Sequence, residues 1–275
     1  MAIGFEMTDL SNLHALGEKV ANQTASIDEI TDFVSTLMPQ AVMKVNSIFS
    51  PRQLAKQDRK TEPLPIAKRQ LSEYRTRLGT MLEYALSTQM DALIEKTFGK
   101  DLRITFAVAH QYPDFFVRDE HLAPSIRIEM KAVDADSDEQ AARFEVLSSL
   151  ILGDKDVVIV VGWEWVTDRL ANGTAFEYPA IFSFVIVPAA ELARERDQSV
   201  VLRGGRIETD QILVPSKSNP DELTRDKGNA GKILRLIHKS RKRDPFQLSQ
   251  HIQRYLQFIG DVEKRATKRR TDADL

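Results

Sequence analysis

The run VVIVVGWEWV, starting at Val157, constrains the fold more than any other stretch of this chain. It is rich in β-branched residues and reads as a strand. A strand with one wet face alternates apolar and polar residues. This one does not, so both of its faces must be covered and it belongs at the centre of a sheet. It is also too short to cross a bilayer, which takes about 20 apolar residues in a helix. Before it lie LRITFAVA, DFFV and SIRIEMKAV, and after it PAIFSFVIV, all strand-like. Helical patterns come before, between and after these runs, giving the order helix, three strands, helix, strand, strand. The expected class is therefore α/β: a mixed sheet flanked by helices.

The helical expectations follow from local signals. SIDEITDFVSTLM opens on a capping box, Ser26 with Glu29. A long helix is expected from about Ile66 to Phe98, with Leu71, Leu78, Leu82, Leu86 and Leu93 along one stripe and Gly99 as its stop. SDEQAARFEVLSSLIL reads as a helix capped by Ser137. A basic helix is expected from near Ala230, and a last one in FQLSQHIQRYLQFIGDVEKRA. The divisions drawn are residues 1–65, a helical region and candidate dimer interface; 66–200, the core; and 201–275, a basic region.

Composition narrows the chemistry. The 275 residues include no cysteine, which excludes disulfides, thiolate metal sites and a cysteine nucleophile and fits a reducing compartment. No basic stretch followed by an apolar run opens the chain, so no signal peptide is expected. The formal net charge of -2 hides an asymmetry: residues 201–275 hold 17 Lys+Arg against 10 Asp+Glu, and the preceding residues hold 21 against 30. A basic segment on an acidic protein suggests a polyanionic partner, unless it is simply a solvated face. Within it Lys227, Lys232, Arg235 and Lys239 are spaced as on a helix and its preceding loop, with Arg241, Lys242 and Arg243 directly after. These are the candidate phosphate contacts. The five histidines show no metal spacing.

The charged residues in YPDFFVRDEHLAPSIRIEMKAV raise the sharper question. Read as a strand, IRIEMKA puts Ile126, Ile128, Met130 and Ala132 on one face and Arg127, Glu129 and Lys131 on the other. Glu129 and Lys131 then stand roughly 7 Å apart along the strand. An antiparallel pairing with the strand after Pro113 would bring Asp114 close to Glu129. Two neighbouring carboxylates repel unless a proton or cation sits between them, and a divalent ion would resolve the conflict. A lysine beside such an ion orients water and neutralises charge building on phosphorus. The bland alternative is a cross-strand charge pair on an edge hairpin.

Pro113-Asp114, fourteen residues, then Glu129-Met130-Lys131 resembles the PD-(D/E)XK nuclease signature. One other (D/E)-x-K exists, Asp58-Arg59-Lys60, with no Pro-Asp before it, and Pro220-Asp221 has no (D/E)-x-K after it. The resemblance covers roughly Tyr74 to Val187 and is strongest to type II restriction endonucleases. It implies a restriction-endonuclease-like core and Mg²⁺ held by Asp114, Glu129 and the Met130 carbonyl, with Lys131 positioning the attacking water. Many members add a glutamate from the helix before the first strand. Glu83 is the candidate here, and Gly79 one turn earlier would let that helix come close to another element. The implied activity is cleavage of double-stranded DNA at a short specific sequence, leaving 5′-phosphate and 3′-hydroxyl ends. The implied assembly is a homodimer, the implied location the prokaryotic cytoplasm. The alternatives are a repair or recombination nuclease on the same core and a non-catalytic DNA-binding protein with a structural carboxylate cluster.

Overall fold

Val157, Val158, Ile159, Val160 and Val161 are all fully buried, and the strand that carries them has a partner on each side. The computed structural model describes residues 10–50, 72–107, 112–135, 142–169, 173, 175–237 and 247–273. Five strands form one mixed sheet in chain order: β1 (Leu102–Phe106), β2 (Phe115–Asp119), β3 (Pro124–Asp134), β4 (Asp156–Arg169) and β5 (Ala175–Pro188). β1, β2 and β3 pair antiparallel in sequence, β4 runs parallel to β3, and β5 runs antiparallel to β4.

The two-sided apolar run feeds two cores. Val157, Ile159, Val161 and Trp163 share a core with Ile126, Ile128 and Met130 of β3. That core is covered by α1 (Leu10–Ala21), α2 (Ile27–Phe49) and α3 (Ser72–Phe98). Val158 and Val160 point the other way and join Val133. This second core is closed by α4 (Ala189–Leu202) and α5 (Gln250–Ala273), through Leu192, Ile252, Tyr255 and Phe258 among others. A small antiparallel sheet, β6 (Arg206–Ile207), β7 (Ile212–Pro215) and β8 (Leu223–Arg225), precedes α5. Among the described residues no helix is long and apolar enough to cross a membrane.

Local chemistry explains the helix ends. Both halves of the Ser26–Glu29 capping box are present, the Ser26 amide donating to Glu29 Oε2 at 2.9 Å and the Glu29 amide to Ser26 Oγ at 3.3 Å. α3 stops where Gly99 takes φ +62, a left-handed conformation that costs glycine little. Asn46 on α2 reaches the backbone of β5. Its amide nitrogen donates to the Ile181 carbonyl and its oxygen accepts from the Ile181 amide, both at 2.8 Å, beside the point where the β4–β5 register shifts.

Two expected helices do not form. Of the segment expected to be helical from Ser137, residues 142–147 are not helical and only Ser148–Leu150 make a 3₁₀ turn; residues 136–141 lie outside the described set. The cause is long-range pairing. The Phe144 amide donates to the Gly231 carbonyl at 2.8 Å and the Ile233 amide to the Ala142 carbonyl at 3.1 Å. The fully buried Arg196 takes the carbonyls of Phe144 and Val146, at 3.2 and 2.6 Å, that a helix would have used itself. Near Ala230, the place of the expected basic helix, the same pairing leaves residues 230–237 with a single 3₁₀ turn, Ile233–Arg235, and residues 238–246 lie outside the described set.

Candidate active site

The hairpin register dictates the site. β2 begins at Phe115, opposite Ile128, while β3 continues to Asp134 paired only with β4. From Glu129 onward, one edge of β3 therefore has no strand paired to it among the described residues, and we call this unpaired edge the notch. The first residue beyond β2 is Asp114, which follows a cis Tyr112–Pro113 bond. Its carbonyl accepts from the Ala107 amide at 2.8 Å, and its side-chain Oδ2 accepts from the Met130 amide at 2.7 Å. The carboxylate thus occupies the place of the missing strand. The amide and carbonyl of one strand residue point to the same edge, so the Met130 carbonyl faces the notch as well.

The two-residue alternation of β3 puts Glu129 and Lys131 on the same face, opposite the first core. Lys131 Nζ lies 2.6 Å from Glu129 Oε1 and 3.9 Å from Asp114 Oδ2. The side chains of Asp114, Lys131 and Glu129 are 29%, 17% and 10% exposed, so solvent enters from the Asp114 side. Glu129 Oε2 is buried with no hydrogen-bond partner. Burial first, and then the Asp114 charge, hold the Glu129 carboxyl above its ordinary range against the opposing pull of Lys131. Burial works to lower the Lys131 pKa, but the charges of Glu129, Asp114 and Glu83 overcome it and the net shift is upward.

Glu83 arrives from the other side of the sheet. α3 packs on the face carrying Ile128 and Met130, and a Cβ built at Gly79 would sit 3.7 Å from the Ala132 Cβ. One turn on, Glu83 lies within the electrostatic field of the other three charged groups. Burial, reinforced by the Asp114 and Glu129 charges and opposed by Lys131, pushes its pKa from 4.5 to about 8. The structure thus brings Asp114, Glu129, Lys131 and Glu83 together.

The group fits a divalent cation. Asp114 and Glu129 flank Lys131 with Glu83 in their field, an oxygen of Glu129 is buried unpaired, and Met130 offers a carbonyl. Among the described residues no three acidic or histidine side chains form a ready-made metal cage. The protein would therefore supply part of the coordination and leave the rest to water and substrate oxygens, the habit of Mg²⁺.

The basic candidates separate. Lys227 and Arg235 are exposed, whereas Lys232 is buried beside the bridge to Arg143. Lys239, Arg241 and Arg243 lie outside the described residues. Ile233 and Leu236 pack in the second core with Val133, so this segment is on the same face of the sheet as the notch. Sequence reasoning missed a buried group next to the notch. Asp156 accepts from the Tyr112 hydroxyl at 2.6 Å and lies 3.1 Å from Arg127 Nε. The parallel register that sets Asp156 opposite Arg127 leaves no local trace in the sequence. Compared with family models, with curated proteins and with solved structures, the chain matches none.

Proposed function

We propose that this protein is a Mg²⁺-dependent DNA endonuclease on a restriction-endonuclease-like core, cutting double-stranded DNA at a short specific sequence. The observation that carries the reading is the meeting of Asp114, Glu129 and Lys131 at the open edge of β3, with Lys131 Nζ within 4 Å of both carboxylates. Asp114, Glu129 and the Met130 carbonyl would hold the ion. When bound, the ion supplies Lewis-acid stabilisation of charge on the phosphate oxygens.

The remaining work falls to the chain. Lys131, kept protonated by its acidic neighbours, is a donor that orients the attacking water and offsets negative charge as it builds on phosphorus. Glu83, with a pKa of about 8, is poised to exchange a proton near neutral pH on the water side of the notch. Attack in line with the departing 3′ oxygen leaves a 5′-phosphate and a 3′-hydroxyl. Lys227 and Arg235 contact the backbone at a distance from the cut and supply affinity without sequence choice. A two-fold dimer would cut both strands of a symmetric site. Magnesium stands as the expected cofactor and double-stranded DNA as the expected partner.

The test is incubation of the purified protein with mixed-sequence plasmid DNA and Mg²⁺, followed by sequencing of the fragment ends. Discrete ends that share a short palindrome are expected, and EDTA or Asp114→Asn should abolish them. Intact plasmid across pH 6–9 and with Mn²⁺ in place of Mg²⁺ would overturn the reading. Ragged ends without a common sequence would remove the restriction assignment and leave a less specific nuclease.

A further inference from the structure

Asp156 is fully buried, although it is charged and stands at the first position of a strand. Its Oδ2 accepts two hydrogen bonds, from the Tyr112 hydroxyl at 2.6 Å and from the Leu152 amide at 2.9 Å. Its Oδ1 faces Arg127 Nε at 3.1 Å. Arg127 in turn lays its guanidinium over the Tyr112 ring, 5.1 Å from the centroid, and donates to the Leu150 carbonyl at 3.1 Å. The three side chains close a triangle in which each touches the other two.

The triangle's place in the chain gives it meaning. Tyr112 precedes Asp114 by two residues, and Arg127 precedes Glu129 by two on the same face of β3. One buried carboxylate therefore grips both ligand-bearing segments, each two residues from its ligand. The β3–β4 pairing does not need this contact, because backbone register runs on from Arg127–Asp156 to Asp134–Trp163 and the Arg127 amide already bonds the Lys155 carbonyl at 3.0 Å. A buried ion pair is a poor source of net stability, since desolvation offsets most of the attraction. Groups that orient metal ligands, by contrast, commonly change affinity for the ion when altered.

We infer that Asp156 is a positioning residue: through the Tyr112 hydroxyl and the Arg127 guanidinium it sets the separation of Asp114 and Glu129, and so the affinity of the notch for a divalent cation. The inference rests on the nuclease reading above, because it presumes that the notch binds an ion. Tyr112→Phe is the cleanest probe, since it deletes one oxygen and leaves the ring against Arg127. Asp156→Asn is the second, keeping an acceptor for Tyr112 while removing the charge. Ile252→Val in the core under α5 serves as a control that loosens the fold far from the notch.

Binding of Mn²⁺ to the DNA-free protein, read from loss of the free-ion electron paramagnetic resonance signal, distinguishes the outcomes. The wild type and Ile252→Val should bind alike, and Tyr112→Phe and Asp156→Asn about 10-fold more weakly. Cleavage at saturating Mn²⁺ should be nearly restored in Tyr112→Phe, which places the defect in ion affinity. If Tyr112→Phe and Asp156→Asn both bind Mn²⁺ like the wild type, the positioning role is overturned while the nuclease reading stands. If the wild type binds no Mn²⁺ at all, the metal-dependent reading falls and the positioning role falls with it. Equal weakening in Ile252→Val would show a general effect of loosened packing and also overturn the inference.

Discussion

Lys131 and Glu83 carry opposite liabilities in the same notch. Lys131 stands within 4 Å of two carboxylates, where the proposed cleavage needs a positioned donor, so its removal should lower the cleavage rate. Lys131→Ala is expected to lower the cleavage rate by about 10²–10⁴-fold, the range for loss of a positioned proton donor. Mn²⁺ binding should be retained, and rates measured at saturating metal will check this. Glu83 makes a prediction in pH. Its folded-state value, about 8, lies above its ordinary 4.5, so the unfolded chain gives up this proton first. Its contribution to stability is complete below about pH 4.5 and is lost as pH rises through about 8. Glu129, also raised, acts in the same direction. In EDTA the melting temperature should fall between pH 5 and 8. Glu83→Gln should flatten that fall and make the protein about 2 kcal/mol more stable than wild type at pH 8, after discounting for the half-buried position.

At the scale of elements, the site depends on α3 lying close to β3. Gly79 faces Ala132, and the space accepts a methyl group at ordinary contact distance. Gly79→Ala should therefore raise stability by about 0.5–1 kcal/mol through helix propensity and leave cleavage unchanged. Gly79→Leu should wedge α3 away from β3 and withdraw Glu83, which would show as a lowered rate together with the loss of the pH-dependent melting described for the wild type. These elements also mark how far the sequence could be read. β4 was legible because a strand without alternation has few homes. The approach of Asp114 to Glu129 was legible because both depend on hairpin pairing over a short span. The segment 142–152 was not. Its composition favours a helix, and what overrides it is pairing with residues 231–233 and capture of its carbonyls by Arg196, contacts made far along the chain. Lys232 was misread for the same reason. It was expected to be a phosphate contact on a basic helix, and the pairing with Arg143 buries it.

For the whole molecule, charge asymmetry and sheet geometry point to the same side. The exposed Arg235 lies between Ile233 and Leu236, which pack on the face that carries the notch, and the exposed Lys227 precedes it in the basic region after residue 200. If both meet phosphate, DNA affinity measured against salt should give a log–log slope that loses about one unit for each of Lys227→Ala and Arg235→Ala. Lys232→Ala should leave the slope alone and cost stability instead, since the side chain is buried. A titration of fluorescent duplex between 50 and 200 mM salt, in Ca²⁺ to prevent cutting, would separate the three variants.

The early end of β2 has a consequence of its own. Pro113 carries no amide hydrogen, so the residue that would otherwise extend the hairpin cannot donate a hydrogen bond to the ladder. Further backbone pairing would displace the Asp114 carboxylate from the Met130 amide that it now holds. A single imino acid thus helps to stop the zipper, and the extent of the unpaired edge is written into the chain as a strand length.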